Sequence, residues 1–129
     1  EKKAIIDWAL EWMSTNFAKN FGKIWYPVTG FAPPNDDQPE QNEKALENLE
    51  IFKGKFLCGP GKFIGGFSEP SIADYVVAVK LHCINHPVVK AKTGFELPAA
   101  LKTYVHDFVS QCPSKGVLDG HDGFLDSKA

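Results

Sequence analysis

Three observations predict an all-α fold for this chain. No run alternates apolar and polar residues for long enough to make a strand, several segments repeat apolar residues at helical spacing, and Ser71-Ile72-Ala73-Asp74-Tyr75 is a helix start in itself. In that pentapeptide a serine precedes an acid by three residues at the head of an apolar run. The Ser71 hydroxyl can accept from the Asp74 N–H while the Asp74 carboxylate accepts from the Ser71 N–H, so two donors of the first turn are paired. The 129 residues, 43% hydrophobic and 12% aromatic, suffice for one packed core. A single domain over residues 1–129 is expected, with four principal helices and short extras.

Helix one is expected from about Lys3 to about Phe21, where Ile5, Ile6, Trp8, Ala9, Trp12, Met13, Phe17 and Phe21 form a broad stripe. Gly22 is expected to end it. A loop from Lys23 to Pro39 follows, holding Trp25, Tyr26, Phe31 and the pair Pro33-Pro34. Asp36 or Asp37 then caps a second helix, with Ala45, Leu49, Phe52 and Phe56 at alternating steps of four and three and Leu46 widening the stripe. Gly59-Pro60-Gly61 stops it, and Phe63-Ile64-Gly65-Gly66 leads to the helix capped by Ser71, with Pro70 and Tyr75 at the positions of a hydrophobic staple. Val76-Val77-Ala78-Val79-Lys80-Leu81-His82-Cys83 is apolar on nearly every side, which predicts a helix through the middle of the molecule, broken near Asn85-His86-Pro87. Pro98 opens the last principal helix, faced by Leu101, Tyr104, Val105, Phe108 and Val109 and closed by Cys112-Pro113. The Gly-rich segment from Ser114 to Ala129, with its apolar pair Phe124-Leu125, is expected to be a loosely held tail with at most a short helix.

Charge and cysteine usage narrow the function classes. With 14 basic and 16 acidic residues, a net charge of −2 supplies no electrostatic pull toward nucleic acid or an anionic membrane, and neither is expected as a partner. Cys58, Cys83 and Cys112 are odd in number and widely spaced, and no signal peptide or apolar stretch of spanning length accompanies them, which favours a reducing, cytoplasmic location. The opening Glu1-Lys2-Lys3 directly on a helix suggests a fragment of a longer chain. His82 and His86 have the spacing of a metal pair on one helix face, with Cys83 beside them. Cys83 projects about 100° away and no third ligand is evident, so no metal is expected. Cys58, beside Gly59-Pro60-Gly61, is expected to be an ordinary free thiol, since nothing basic is close enough in sequence to argue for a lowered pKa. Asp36, Asp37, Glu40 and Glu43 at one end of the second helix, and Lys53 and Lys55 at the other, complement its dipole as solvated ends.

The order of these features resembles the C-terminal helical domain of cytosolic glutathione transferases, along almost the whole chain. The resemblance is carried by the aromatic first helix leading to Tyr26-Pro27, the amphipathic helix ending Phe56-Leu57, and Phe63-Ile64-Gly65-Gly66 before Pro70-Ser71-Ile72-Ala73-Asp74-Tyr75. The later Pro98, Leu101, Tyr104, Phe108 and Pro113 complete it. One departure is that Phe67 stands four residues before the capping serine, where the family commonly has glycine, and Gly66 lies one residue earlier. A slightly longer turn is implied. The first helix and its Tyr-Pro look more similar to the theta, delta and epsilon type than to the alpha, mu or pi type.

What the resemblance implies is a division of labour. In the family, glutathione is held and activated by a thioredoxin-like N-terminal domain, and this chain has no βαβ pattern to supply one. The chain alone is then expected to have no catalytic residue and to bind no cofactor, with glutathione a co-substrate of the parent. Its implied role is one wall of the cleft for a hydrophobic electrophile, part of a homodimer interface, and support for the catalytic domain. Phe17, Phe21, Trp25 and Tyr26 are the candidates for that wall, and Trp12 lies on the same stretch. Aromatics at helical spacing are more often core than pocket, which places Trp8 and Trp12 in the core and leaves Phe21, Trp25 and Tyr26 evenly divided. Ser71 and Asp74 are structural under either reading. The alternative is a non-catalytic docking module like those of the gamma subunit of translation elongation factor 1 or of aminoacyl-tRNA synthetase assemblies, since one fold serves both.

Overall fold

A computed structural model describes residues 2–111 and 115–128, and these residues form an all-helical bundle. Helix α1 spans Lys2–Trp12, a π-helical turn Met13–Phe17 follows, and α2 spans Ala18–Thr29. Next come α3 (Gln38–Phe56), a single 3-10 turn (Ile64–Gly66), α4 (Ile72–Ile84), α5 (Pro87–Thr93), α6 (Ala99–Gln111) and α7 (Lys115–Asp126). The expected closure of α6 by Cys112-Pro113 lies outside the described residues.

The first expected helix is therefore interrupted where the pattern reads smoothly and continues where it reads as broken. At the π-turn the Ala18 N–H reaches back to the Met13 carbonyl, and α3 pins the widened turn through Asn48, whose Nδ2 donates to Asn16 O at 3.1 Å and to Asn20 Oδ1 at 2.6 Å. Gly22 does not end the helix. It sits inside α2 with the Tyr26 ring over it, 3.1 Å from where a Cβ would stand, and an interior glycine costs a helix only about 1 kcal/mol. Pro27 is also interior. Lacking an N–H, it cannot bond the carbonyl of Lys23 one turn back, and Asn35 Nδ2 donates to that carbonyl instead at 2.8 Å. The expected loop from Lys23 to Pro39 shrinks to residues 30–37. Gly30 ends α2 in the left-handed conformation, and Asp37 is the N-cap of α3, with its carboxylate accepting from Gln41 at 2.8 Å.

The core follows the helical stripes of α3 and α6. Ala45, Leu49, Phe52 and Phe56 are all buried, as are Leu101, Tyr104, Val105 and Phe108. Phe56 and Phe52 receive Trp12 from α1, whereas Trp8 is 48% exposed and lies edge-on to Phe56 at 4.7 Å between ring centres. The expectation of a core Trp8 is corrected accordingly: its ring stays half-exposed, with Lys55 of α3 5.5 Å over it.

Around α4 the capping box closes as expected, and it does more than cap. Asp74 is fully buried. Its Oδ2 accepts from the Ser71 N–H at 2.9 Å and the Ser71 hydroxyl at 3.3 Å, while Oδ1 accepts from the Ile64 N–H at 3.0 Å and the Tyr104 hydroxyl at 2.7 Å. One carboxylate thus joins α4, the 3-10 turn and α6. Burial first, then the Asp74 charge, pushes the Tyr104 hydroxyl well above its ordinary range. The turn before α4 folds back on itself through Gly61 N–H to Gly66 O (2.9 Å) and Phe63 N–H to Phe67 O (3.2 Å), so close that a Cβ on Gly61 would run into the Phe67 carbonyl.

Not all of α4 is interior. Ala73, Val77, Ala78, Leu81 and Ile84 are buried, yet Ile72 is 64% exposed and Val76, one turn on, is also exposed. The helix passes along the bundle with one apolar edge outward. His86 caps α5, its Nδ1 accepting from the Val88 N–H at 3.1 Å, and Glu96 bridges Lys102 (2.8 Å) and Lys90 (3.0 Å), joining α5 to α6. Those two lysines hold the Glu96 carboxyl down at about 2. The expected loose tail is instead α7, which buries Leu118 and Leu125 and packs chiefly on α4.

Candidate functional site

Residues 17, 21 and 25 are spaced by fours, so they share one face across the π-turn and α2. Phe17 and Phe21 lie 6.5 Å apart, and Phe21 stacks on Trp25 at 5.7 Å with 23° between planes. Burial falls along this ladder. Phe17 is 1% exposed and belongs to the core, so the expectation that it lines a cleft is corrected: the widened turn directs it inward against the bundle. Phe21 and Trp25 are half-buried, and the Lys80 ammonium from α4 sits 5.2 Å over the Phe21 ring.

Trp25 opens onto a groove of about 380 Å³ whose other walls are Thr29, Phe31, Gly120, His121 and Phe124. Its lining is mostly apolar, and the groove lies between the end of α2, the loop after it and α7. Tyr26 is one residue further along and so about 100° further round the helix. It belongs to a second groove of about 390 Å³ with Gly22, Lys23, Pro27, Ala32 and Asn35. Phe31, 77% exposed, meets Tyr26 edge-on at 6.1 Å and stands between the two grooves. The structure therefore joins Phe21 to Trp25, separates Tyr26 from them, and adds Phe31, His121 and Phe124. The last two lie in the Gly-rich segment, where Val117, Leu118, His121, Phe124 and Leu125 recur at helical steps among the glycines.

A polar cluster lies on the other side of α7. His82 Nε2 is 3.0 Å from Asp122 Oδ1, and His86 Nε2 is 2.8 Å from Asp126 Oδ1. Because His86 Nδ1 accepts the Val88 N–H, the neutral ring carries its proton on Nε2 and donates it to Asp126. Cys83 Sγ is 3.7 Å from His121 Nδ1, and burial, with the Asp122 charge, pushes its thiol up to about 11. A thiol so placed is protonated near neutrality and is no nucleophile. The two histidines, which looked like a metal pair, each face an aspartate, and among the described residues no group of three or more such side chains is arranged to hold a metal ion. Cys58 is exposed, and among the described residues no helix is long and apolar enough to cross a membrane.

No protein-family model, curated protein or solved structure matches this chain.

Proposed function

We propose that this chain is the C-terminal helical domain of a glutathione transferase, providing the subsite for a hydrophobic electrophile beside a thioredoxin-like domain that binds glutathione. The observation that carries the reading is the groove between Trp25, Phe31 and Phe124, an aromatic-walled cleft of about 380 Å³ and the size of a small aromatic ligand. In it Trp25 and Phe31 would bury the body of the electrophile. Phe21, stacked behind Trp25, would hold that ring in place. Among the described residues no activated nucleophile stands there, because the nearby Cys83 thiol stays protonated, so the attacking sulfur would be the glutathione thiolate of the companion domain. The groove's contribution is then proximity and desolvation of the electrophile. A homodimer of the parent and a cytoplasmic location accompany the proposal.

The test uses the native parent polypeptide. Its intact mass should reveal room for a second domain, it should be retained on immobilised glutathione, and Trp25→Ala should raise the KM for a hydrophobic electrophile while leaving that for glutathione unchanged. A parent that is not retained and has no second domain overturns the proposal. A specific observation then favours the docking reading, namely the outward apolar pair Ile72 and Val76 on α4. Ile72→Asp with Val76→Asp would release a protein partner in that case.

A further inference from the structure

Helix α7 has three glycines in 12 residues, Gly116, Gly120 and Gly123. None of them has a positive φ, all are exposed, and a Cβ added at any of them would meet nothing within 4 Å. Neither backbone conformation nor close packing requires glycine there. Each nevertheless disfavours the helix relative to alanine by about fivefold, and a helix of this length is marginal by itself even with good helix formers. The segment is therefore helical because it is docked. Two kinds of contact dock it. Leu118 and Leu125 are buried, and the pairs His82 to Asp122 and His86 to Asp126 match in register, each side advancing by four residues. The same helix supplies Gly120, His121 and Phe124 to one wall of the aromatic groove, with Trp25, Thr29 and Phe31 across from it.

We propose that α7 is a strap that folds only when docked, fastened by the two histidine–aspartate pairs, and that its docking completes the aromatic groove. When the strap is released the chain loses the Phe124 wall and the groove opens to solvent. The second half of this proposal rests on the groove being a ligand site; the first half does not.

Hydrogen exchange read by mass spectrometry on the whole chain tests the strap without any ligand. Amides of α7 should exchange at least about 100-fold faster than those of α4, through local opening. Gly116→Ala, Gly120→Ala and Gly123→Ala together should slow α7 exchange on the order of 100-fold, with α4 still the slower of the two. Asp122→Ala with Asp126→Ala should speed α7 exchange, again with α4 as the internal control for folding. Exchange in α7 as slow as in α4, or insensitive to the three alanines, overturns the strap. For the groove, fluorescence titration with anilinonaphthalene sulfonate should give at least a fivefold weaker affinity in the aspartate double variant than in the native chain. Equal affinities overturn the coupling. Loss of glutathione retention in the parent would bear on the transferase proposal alone and would leave the exchange result intact.

Discussion

Asp74→Ala should be among the most damaging single substitutions in this protein, and its cost can be worked from the contacts. The carboxylate is fully buried and accepts from four donors on three elements. Removing the reciprocal capping bond to Ser71 costs about 1 kcal/mol, the usual worth of an N-cap. The Ile64 N–H and Tyr104 hydroxyl are then left buried without their partner, at about 1 to 3 kcal/mol each. Removing a buried charge returns part of its desolvation penalty. A net loss of about 4 kcal/mol is expected, which for a chain of this size lowers Tm by on the order of 15 °C. Two controls separate the network from the cap. Ser71→Ala removes the cap and only the longest of the four bonds to Asp74, at 3.3 Å, and should cost about 1 kcal/mol, while Tyr104→Phe removes the shortest, at 2.7 Å, and should cost about 1 to 2 kcal/mol. In the double variant Asp74→Ala/Tyr104→Phe the stranded hydroxyl is gone, so the loss should fall short of the sum by about 1 kcal/mol or more. Guanidinium unfolding of the four variants measures all of these. An Asp74→Ala variant no less stable than Ser71→Ala, or a double variant equal to the sum, would refute the account of a carboxylate binding three elements together.

Other perturbations follow from the same geometry. Asn35→Ala should destabilise by about 1 to 2 kcal/mol, because the Lys23 carbonyl freed by Pro27 loses its donor, and a Tm within error of the native value would show that water replaces Asn35 without cost. Gly61→Ala should cost at least about 2 kcal/mol, since the added methyl meets the Phe67 carbonyl rather than a movable side chain; thermal melts decide this. At pH 8 Cys83, pushed up to about 11, is on the order of 0.1% thiolate, and peptide-level mapping of iodoacetamide labelling should show it reacting far more slowly than exposed Cys58. Tyr104 holds its proton more tightly folded than unfolded, so its contribution is complete below about pH 10 and is lost as pH rises through the folded value. The fall in stability above about pH 10 should therefore be shallower in Tyr104→Phe, and identical slopes would contradict the raised hydroxyl.

How much of this molecule is legible in its sequence depends on the distance over which each interaction acts. The capping box is legible because Ser71 and Asp74 satisfy each other within one turn. The stripes of α3 and α6 are legible because periodic burial of Leu49, Phe52, Tyr104 and Phe108 is itself the signal. Gly22 and Pro27 mislead because what compensates them lies elsewhere: the Tyr26 ring fills the space over the glycine, and Asn35, in the loop beyond the helix, takes the carbonyl that the proline orphans. The π-turn is invisible for a similar reason, since the side chain that pins it, Asn48, comes from another helix. The same distinction governs the candidate site. Phe21 and Trp25 share a helical face, so their stacking was implicit in a spacing of four, whereas assigning Tyr26 to the same wall required the chain to bend at Gly22, and it does not. With α2 continuous, Tyr26 is turned toward its own groove, and the wall opposite Trp25 has to come from outside the helix. It comes from Phe31, and from Phe124 on a segment whose glycines concealed its helix. The glycines that made α7 illegible are the same ones that make its folding depend on docking, so the weak local signal is a physical property of the element.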